Sequence, residues 1–274
     1  MHTIFNGQLI EDFDATIPAT DKGYFFDFAV YDSTKVIQGK SFFPEFHIER
    51  LLNFAAQLEI IHPFSQKEVE NWLDALIEKN ELTDAYVRFL LVGDPAGKPE
   101  KAKLFISSVT GITYYPNKFY SEGIKTITYQ GERCFPTAKT TDLLLGFLAK
   151  REATRSGAEE ALLVDNNGFI REGSSSNFFA IRGKELIVPP DKKNLLGITK
   201  KILLEIAEEK FDIVKADIPR TKIASYDEVF ITSTLRNVMP IRQINDVAFE
   251  NGFEKTKMLA AMFKKYYTKH TLKN

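Results

Sequence analysis

Disulfide chemistry is nearly closed to this chain, which has one cysteine, Cys134, in 274 residues. A lone thiol cannot pair within the chain, so a small scaffold stapled by disulfides is excluded. Neither sign of charge dominates, since 36 lysines and arginines stand against 37 aspartates and glutamates. That balance leaves no field for a polyanion to follow, and no nucleic-acid partner is expected. No apolar run reaches the length of a membrane span, and Glu11, Asp12 and Asp14 fall where a signal peptide needs an apolar core. The expectation is a cytoplasmic protein with no membrane partner. His2, His47, His62 and His270 offer no HExxH or similar spacing, so no metal site is expected. The GxGxxG and GxxxxGK[ST] cradles are missing, and Gly173-Ser174-Ser175-Ser176 is not the GxSxG of a serine hydrolase.

A hydrophobic fraction of 44% can build a large core, in one domain or two. Asn6-Gly7 between two short apolar segments predicts a tight hairpin. Helical spacing follows near 47 to 59 (Ile48, Leu51, Leu52, Ala55) and 66 to 79 (Val69, Trp72, Leu73, Leu76, Ile77). Strands are expected over 86 to 92 and 103 to 109. Breakers then interrupt the periodicity, which divides the chain into an α+β domain over 1–112, a linker over 113–122 and a second domain over 123–274. The second domain is expected to hold a strand at 124 to 130, a helix at about 141 to 156 and a hairpin turning at 166 to 168. Strands at 178 to 181, 186 to 188 and 227 to 232 follow, a helix opens at Thr199, and a last amphipathic helix spans about 254 to 270. The fold class is α/β (α+β).

Several small constellations could carry chemistry. Lys139 lies in Phe135-Pro136-Thr137-Ala138-Lys139-Thr140-Thr141-Asp142, between a strand and a helix. Glu172 opens a turn reading EGSSSN, richer in small residues than a simple hairpin return needs. In Leu195-Leu196-Gly197-Ile198-Thr199, the glycine permits close backbone approach, and Thr199 can cap a helix whose first N–H groups suit an anion. Thr232, Ser233 and Thr234 place hydroxyls at a strand exit. Arg236, just beyond, reads as an exposed loop arginine.

In this order, these pieces resemble the fold-class IV pyridoxal-phosphate enzymes: branched-chain aminotransferases, D-amino-acid aminotransferases and aminodeoxychorismate lyase. The resemblance runs from about Phe5 to Ile244. It implies two domains with pyridoxal 5′-phosphate in the cleft between them, and a homodimer. Lys139 matches the family's cofactor lysine, and Glu172 its acid beside the ring nitrogen. Arg50, in His47-Ile48-Glu49-Arg50-Leu51, matches the arginine that grips the phosphate, with Ile198, Thr199, Ser233 and Thr234 completing its contacts. Tyr31 is similar to a tyrosine of the active-site wall, Arg88 to a substrate-side arginine, and Lys35 to a lysine near the pocket mouth.

The implied reaction passes an amino group between an amino acid, branched-chain or otherwise apolar, and a 2-oxo acid. A primary amine can hold the cofactor's aldehyde and, once released, carry the Cα proton, so one lysine serves twice. Alternatives that share the same first step are a lyase releasing pyruvate and D-amino-acid transfer; a silent binding relative is a third. The chain departs from the family where Phe26, Asp27, Phe28 and Ala29 replace FGDG. Asp32 stands for the usual glutamate, Asp142 for an asparagine, and Leu144 for a tyrosine of the branched-chain group.

Overall fold

A computed structural model describes residues 1–110, 114–250 and 252–271. They form two compact units, one taking the chain through Thr110 with Ala138–Asp142, the other taking Tyr114–Thr137 and the chain from Leu143 on.

In the first unit, Asn6 and Gly7 adopt φ of 47° and 85°, the left-handed pair that lets β1 (His2–Phe5) fold back tightly onto β2 (Gln8–Glu11). The short α1 (Lys22–Phe25) leads to β3 (Ala29–Ile37) and β4 (Lys40–Ser41). Two helices follow, α2 (Pro44–Gln57) and α3 (Gln66–Lys79), then β5 (Asp84–Val92) and β6 (Lys103–Thr110). The strands form one sheet in the order β2-β1-β6-β5-β3-β4. Ser65 and Glu68 make a reciprocal capping box that starts α3 where its apolar spacing begins.

Period-2 alternation gives β3 two different faces. Val30, Asp32, Thr34 and Val36 look toward α2, whose Ile48, Leu51 and Ala55 are fully buried. Tyr31, Ser33 and Lys35 point the other way, opposite Leu90, Arg88 and Tyr86 of β5. The segment Ala138–Asp142 lies along the start of β3: Val30 bridges Thr140, and the Tyr31 N–H donates to the Lys139 carbonyl at 2.9 Å.

The second unit runs through α4 (Asn117–Glu122), β7 (Ile124–Gln130), α5 (Leu144–Arg155), β8 (Glu160–Val164), β9 (Phe169–Gly173), β10 (Ser176–Arg182) and β11 (Glu185–Val188). It continues with α6 (Ile198–Ala207), β12 (Asp212–Lys215), β13 (Ile218–Pro219), β14 (Glu228–Ser233), β15 (Asn237–Ile244), β16 (Val247–Ala248) and α7 (Glu254–Thr271). Helix α4 lies within the stretch read as a linker, 113–122. Strand order is β12-β11-β10-β14-β15-β7-β8-β9-β13, and a further β9–β10 pairing closes six of these strands on themselves. Inside lies a core that includes Leu162, Ile170, Phe178, Ile231, Met239 and Ile241. Closure fixes which side chains face out, while β12 and β13 remain the ends of the sheet. Among the described residues, no helix is long and apolar enough to cross a membrane.

Candidate active site

The candidate residues fall into two groups, one in each unit. In the first unit, Lys139 is held by the backbone pairing with Val30 and Tyr31 just described. Its amine lies 3.4 Å from the Tyr31 hydroxyl, to which it donates, and 4.6 Å from the centre of that ring. Among the described residues, no carboxylate pairs with it, whereas Lys103, Lys200, Lys215 and Lys255 are all ion-paired. The amine is thus half-buried, with a phenol as its hydrogen-bond partner.

Arg50 and Asp32 form the second feature of this unit. Arg50 Nε and Nη2 donate to Asp32 Oδ2 and Oδ1, each at 2.7 Å, and His47 Nδ1 donates to Oδ1 at 2.9 Å. Asp32 and His47 are both completely buried. Burial alone would raise the Asp32 carboxyl, but the Arg50 guanidinium and His47 outweigh it and hold Asp32 well below the usual carboxylate range. For His47 burial wins, and with the charges of Arg50 and Lys139 nearby it shifts the imidazole down despite Asp32. A neutral histidine thus braces the carboxylate that aims Arg50. Arg88 is exposed on the Tyr31 face, paired in register with the buried Ser33. Lys35 is buried against Phe42, and burial lowers its amine to about 8.

In the second unit, cross-strand pairing sets Leu163, Glu172, Asn177, Thr232 and Val238 side by side on five strands. Directly paired residues share a face, so Glu172, Asn177 and Thr232 point the same way. Both ends of EGSSSN reach the loop before α6. Glu172 Oε2 accepts from the Leu195 N–H at 3.2 Å, and Asn177 Nδ2 donates to the Leu195 carbonyl at 2.6 Å. A Cβ at Gly197 would overlap Asn177 Oδ1, which explains the glycine. The three serines serve Glu160, a fully buried carboxylate that accepts from Ser174, Ser175 and Ser176.

Two expectations change here, the cap at Thr199 and the exposure of Arg236. Thr199 does not cap α6: Gly197 is the N-cap residue, and the buried hydroxyls of Thr199 and Thr232 have no partner among the described residues. Ser233 turns its hydroxyl to the Arg236 N–H at 3.1 Å, while Thr234 is half-buried. Arg236 is not an exposed loop residue but is buried, pairing with Glu160 at 2.9 Å, donating to Ser175 and lying over the Tyr115 ring. Its charge was needed to balance a carboxylate that burial would otherwise penalise.

Arg133 escaped the sequence reading altogether. Its Nε donates to Glu172 Oε1 at 2.7 Å and its Nη2 to Oε2 at 3.3 Å. Nothing in a strand-to-loop GERC stretch marks an arginine as bound, so only the three-dimensional partner reveals it. Within the second unit, the described residues include the buried hydroxyls of Thr199 and Thr232, the backbone N–H groups at the start of α6 and an arginine fixed on Glu172. This set suits an anionic, ring-bearing ligand. Among the described residues, no cluster of His, Cys, Asp and Glu could hold a metal ion.

Comparison with known proteins shows the family and the fold. The Amino-transferase class IV family matches residues 29–244. The chain is 29% identical to a D-alanine aminotransferase of Bacillus licheniformis, over 92% of this chain and 91% of that one. It is 27% identical to a branched-chain-amino-acid aminotransferase of Pseudomonas aeruginosa, over 88% and 84%. Its fold matches, with a TM-score of 0.86 and 23% identity, that of the T.th. branched-chain amino acid aminotransferase with pyridoxamine 5′-phosphate, covering 98% of this chain and 94% of that one. With a match that begins at the first residue of β3 and ends at the last residue of β15, the chain belongs to the class IV amino-transferase family and is an aminotransferase.

Proposed function

We propose that this aminotransferase works with pyridoxal 5′-phosphate held on Lys139 and passes amino groups between an apolar, branched-chain-type amino acid and a 2-oxo acid. The observation that carries the reading is the Lys139 amine, paired with no carboxylate among the described residues and beside the Tyr31 hydroxyl. The buried hydroxyl of Thr199, with the N–H groups of Ile198 and Thr199, would bind the phosphate together with Arg50, Ser233 and Thr234. Thr232, also buried and without a partner among the described residues, joins this set beside its strand-exit neighbours Ser233 and Thr234. Glu172 would face the ring nitrogen. Such an anion keeps that nitrogen protonated.

When bound, the cofactor supplies an aldehyde that condenses with amines and a protonated ring that takes up an electron pair from Cα. The chain's residues then have separate tasks. Lys139 would hold the cofactor's aldehyde carbon and, once displaced by the incoming amino group, its amine would take the proton from the substrate Cα. Tyr31 keeps that amine in place, and Arg88, on the same sheet face, would take the substrate carboxylate. The working form is read as a homodimer acting on small molecules alone. D-amino-acid transfer is a second reading, favoured by the D-alanine aminotransferase relative.

The test is direct. Purified protein should develop a visible absorption band with pyridoxal 5′-phosphate that sodium borohydride makes permanent, and Lys139→Ala should not. Single-turnover loss of the band against a panel of L- and D-amino acids then ranks donors. Loss with valine, leucine and isoleucine supports the first reading, and loss with D-alanine alone replaces it. Release of pyruvate from aminodeoxychorismate would instead point to a lyase.

A further inference from the structure

We propose that Arg133 is a positioning residue for Glu172 and for the chain segment leading to Lys139, an inference that rests on the cofactor reading above. Its guanidinium uses all three nitrogens. Nε and Nη2 take the two oxygens of Glu172, Nη1 donates to the Phe135 carbonyl at 3.4 Å, and Nη2 also donates to the Pro136 carbonyl. Pro136 stands three residues before Lys139 in the chain. One rigid group therefore joins the carboxylate assigned to the ring nitrogen and the backbone that carries the assigned lysine forward.

The pair is not an ordinary surface contact, in which solvent screening leaves little effect. The side chain of Arg133 is 19% exposed and that of Glu172 only 7%. A carboxylate has about four lone-pair sites, two on each oxygen. The Leu195 N–H and Arg133 Nη2 engage Oε2, while Arg133 Nε engages Oε1. The acceptor site left over is on Oε1. Arg133 thus sets both the plane of the carboxylate and the oxygen it can present. A lysine offers three donors from a single point and cannot span two carboxylate oxygens and two carbonyls with one planar group.

The experiment compares wild type, Arg133→Lys, Arg133→Met, Glu172→Gln and the Arg133→Met/Glu172→Gln double variant. Three quantities are read: the pyridoxal 5′-phosphate dissociation constant, the position of the visible band, and the thermal midpoint without cofactor. Arg133→Met is expected to weaken cofactor binding by roughly ten- to a hundredfold, the scale of a lost charge-assisted hydrogen bond. It should also shift the band, with Arg133→Lys intermediate. In the Glu172→Gln background the same change should add much less, because its partner is already altered. Equal binding and an unshifted band in both Arg133 variants overturn the inference. So do effects that multiply fully in the double variant, or a fall in thermal midpoint alone. Those outcomes leave the cofactor reading intact, whereas wild-type protein that binds no pyridoxal 5′-phosphate overturns both.

Discussion

Asp32 and Arg50 meet edge to edge, two nitrogens on two oxygens, with the carboxylate entirely out of solvent. The carboxylate on β3 therefore dictates how the guanidinium on α2 is aimed. This is a buried pair, for which losing one member leaves the other as an uncompensated charge.

Asp32→Asn should lower the unfolding free energy by about 3–5 kcal/mol, the scale for breaking such a pair. It should also weaken pyridoxal 5′-phosphate more than phosphate-free pyridoxal. Asp32→Glu keeps the charge and should recover much of both. Urea unfolding and ligand titration check this, and equal losses for the two ligands would disconnect Arg50 from phosphate.

The lowered His47 imidazole makes the fold sensitive to mild acid. The unfolded chain takes a proton at about 6.5 that folded His47 refuses, so stability is full above 6.5 and falls as the pH drops below it. Asp32, also lowered, adds a second loss only below its ordinary 3.8. His47→Asn should flatten the urea midpoint between pH 7 and 5. Parallel curves for variant and wild type would rule out this source.

Lys35 acts in the alkaline range. With its amine lowered from 10.5 to about 8 by burial, the folded protein sheds a proton the unfolded chain keeps, so stability should climb between pH 8 and 10.5. The rise attributable to this group is up to roughly 3 kcal/mol, from the size of the shift. Lys35→Met should remove it. An amine seen to titrate near 10.5 by NMR of methylated lysines would contradict the burial argument.

Arg236→Met strands the Glu160 carboxylate among three serines and should destabilise the protein by about 3–5 kcal/mol. Replacing both partners, as Arg236→Met/Glu160→Gln, should cost less than the single change. A double-mutant cycle with no coupling would mean the pair is incidental.

Thr199→Val removes a buried hydroxyl with no partner among the described residues, so the cofactor-free protein should be unchanged or slightly stabilised. Pyridoxal 5′-phosphate should nevertheless bind roughly tenfold more weakly, one hydrogen bond's worth. Calorimetry and titration read the two effects separately. Unaltered cofactor binding would remove Thr199 from the phosphate contacts.

Elements whose periodicity is unambiguous were legible in the sequence. The spacing of Val69, Leu73 and Leu76 located α3, and the alternation after Gly123 located β7, because one buried face dictates each pattern. The Asn6-Gly7 hairpin was legible because few residues tolerate its backbone. β15 was not, since Pro240 and the mixed Arg242-Gln243 stretch hide a strand that pairs with β14 and β7. For the site, motif order brought Lys139, Arg50 and Glu172 forward. It missed Arg133, Asp32 and His47 as their braces, because partners distant along the chain leave no local signature. Arg236 was misread for the same reason, since its counter-ion Glu160 lies 76 positions earlier.

The pairing of β9 with β10 that completes the ring has one more implication. Glu172 and Asn177 stand opposite each other across that seam, and successive side chains alternate between inside and outside. Adding or deleting a single residue in the Gly173–Ser176 turn would rotate one of them into the apolar interior. The number of letters in EGSSSN is thus as constrained as the two letters at its ends, and a length variant should lose the carboxylate from the site while its composition stays the same.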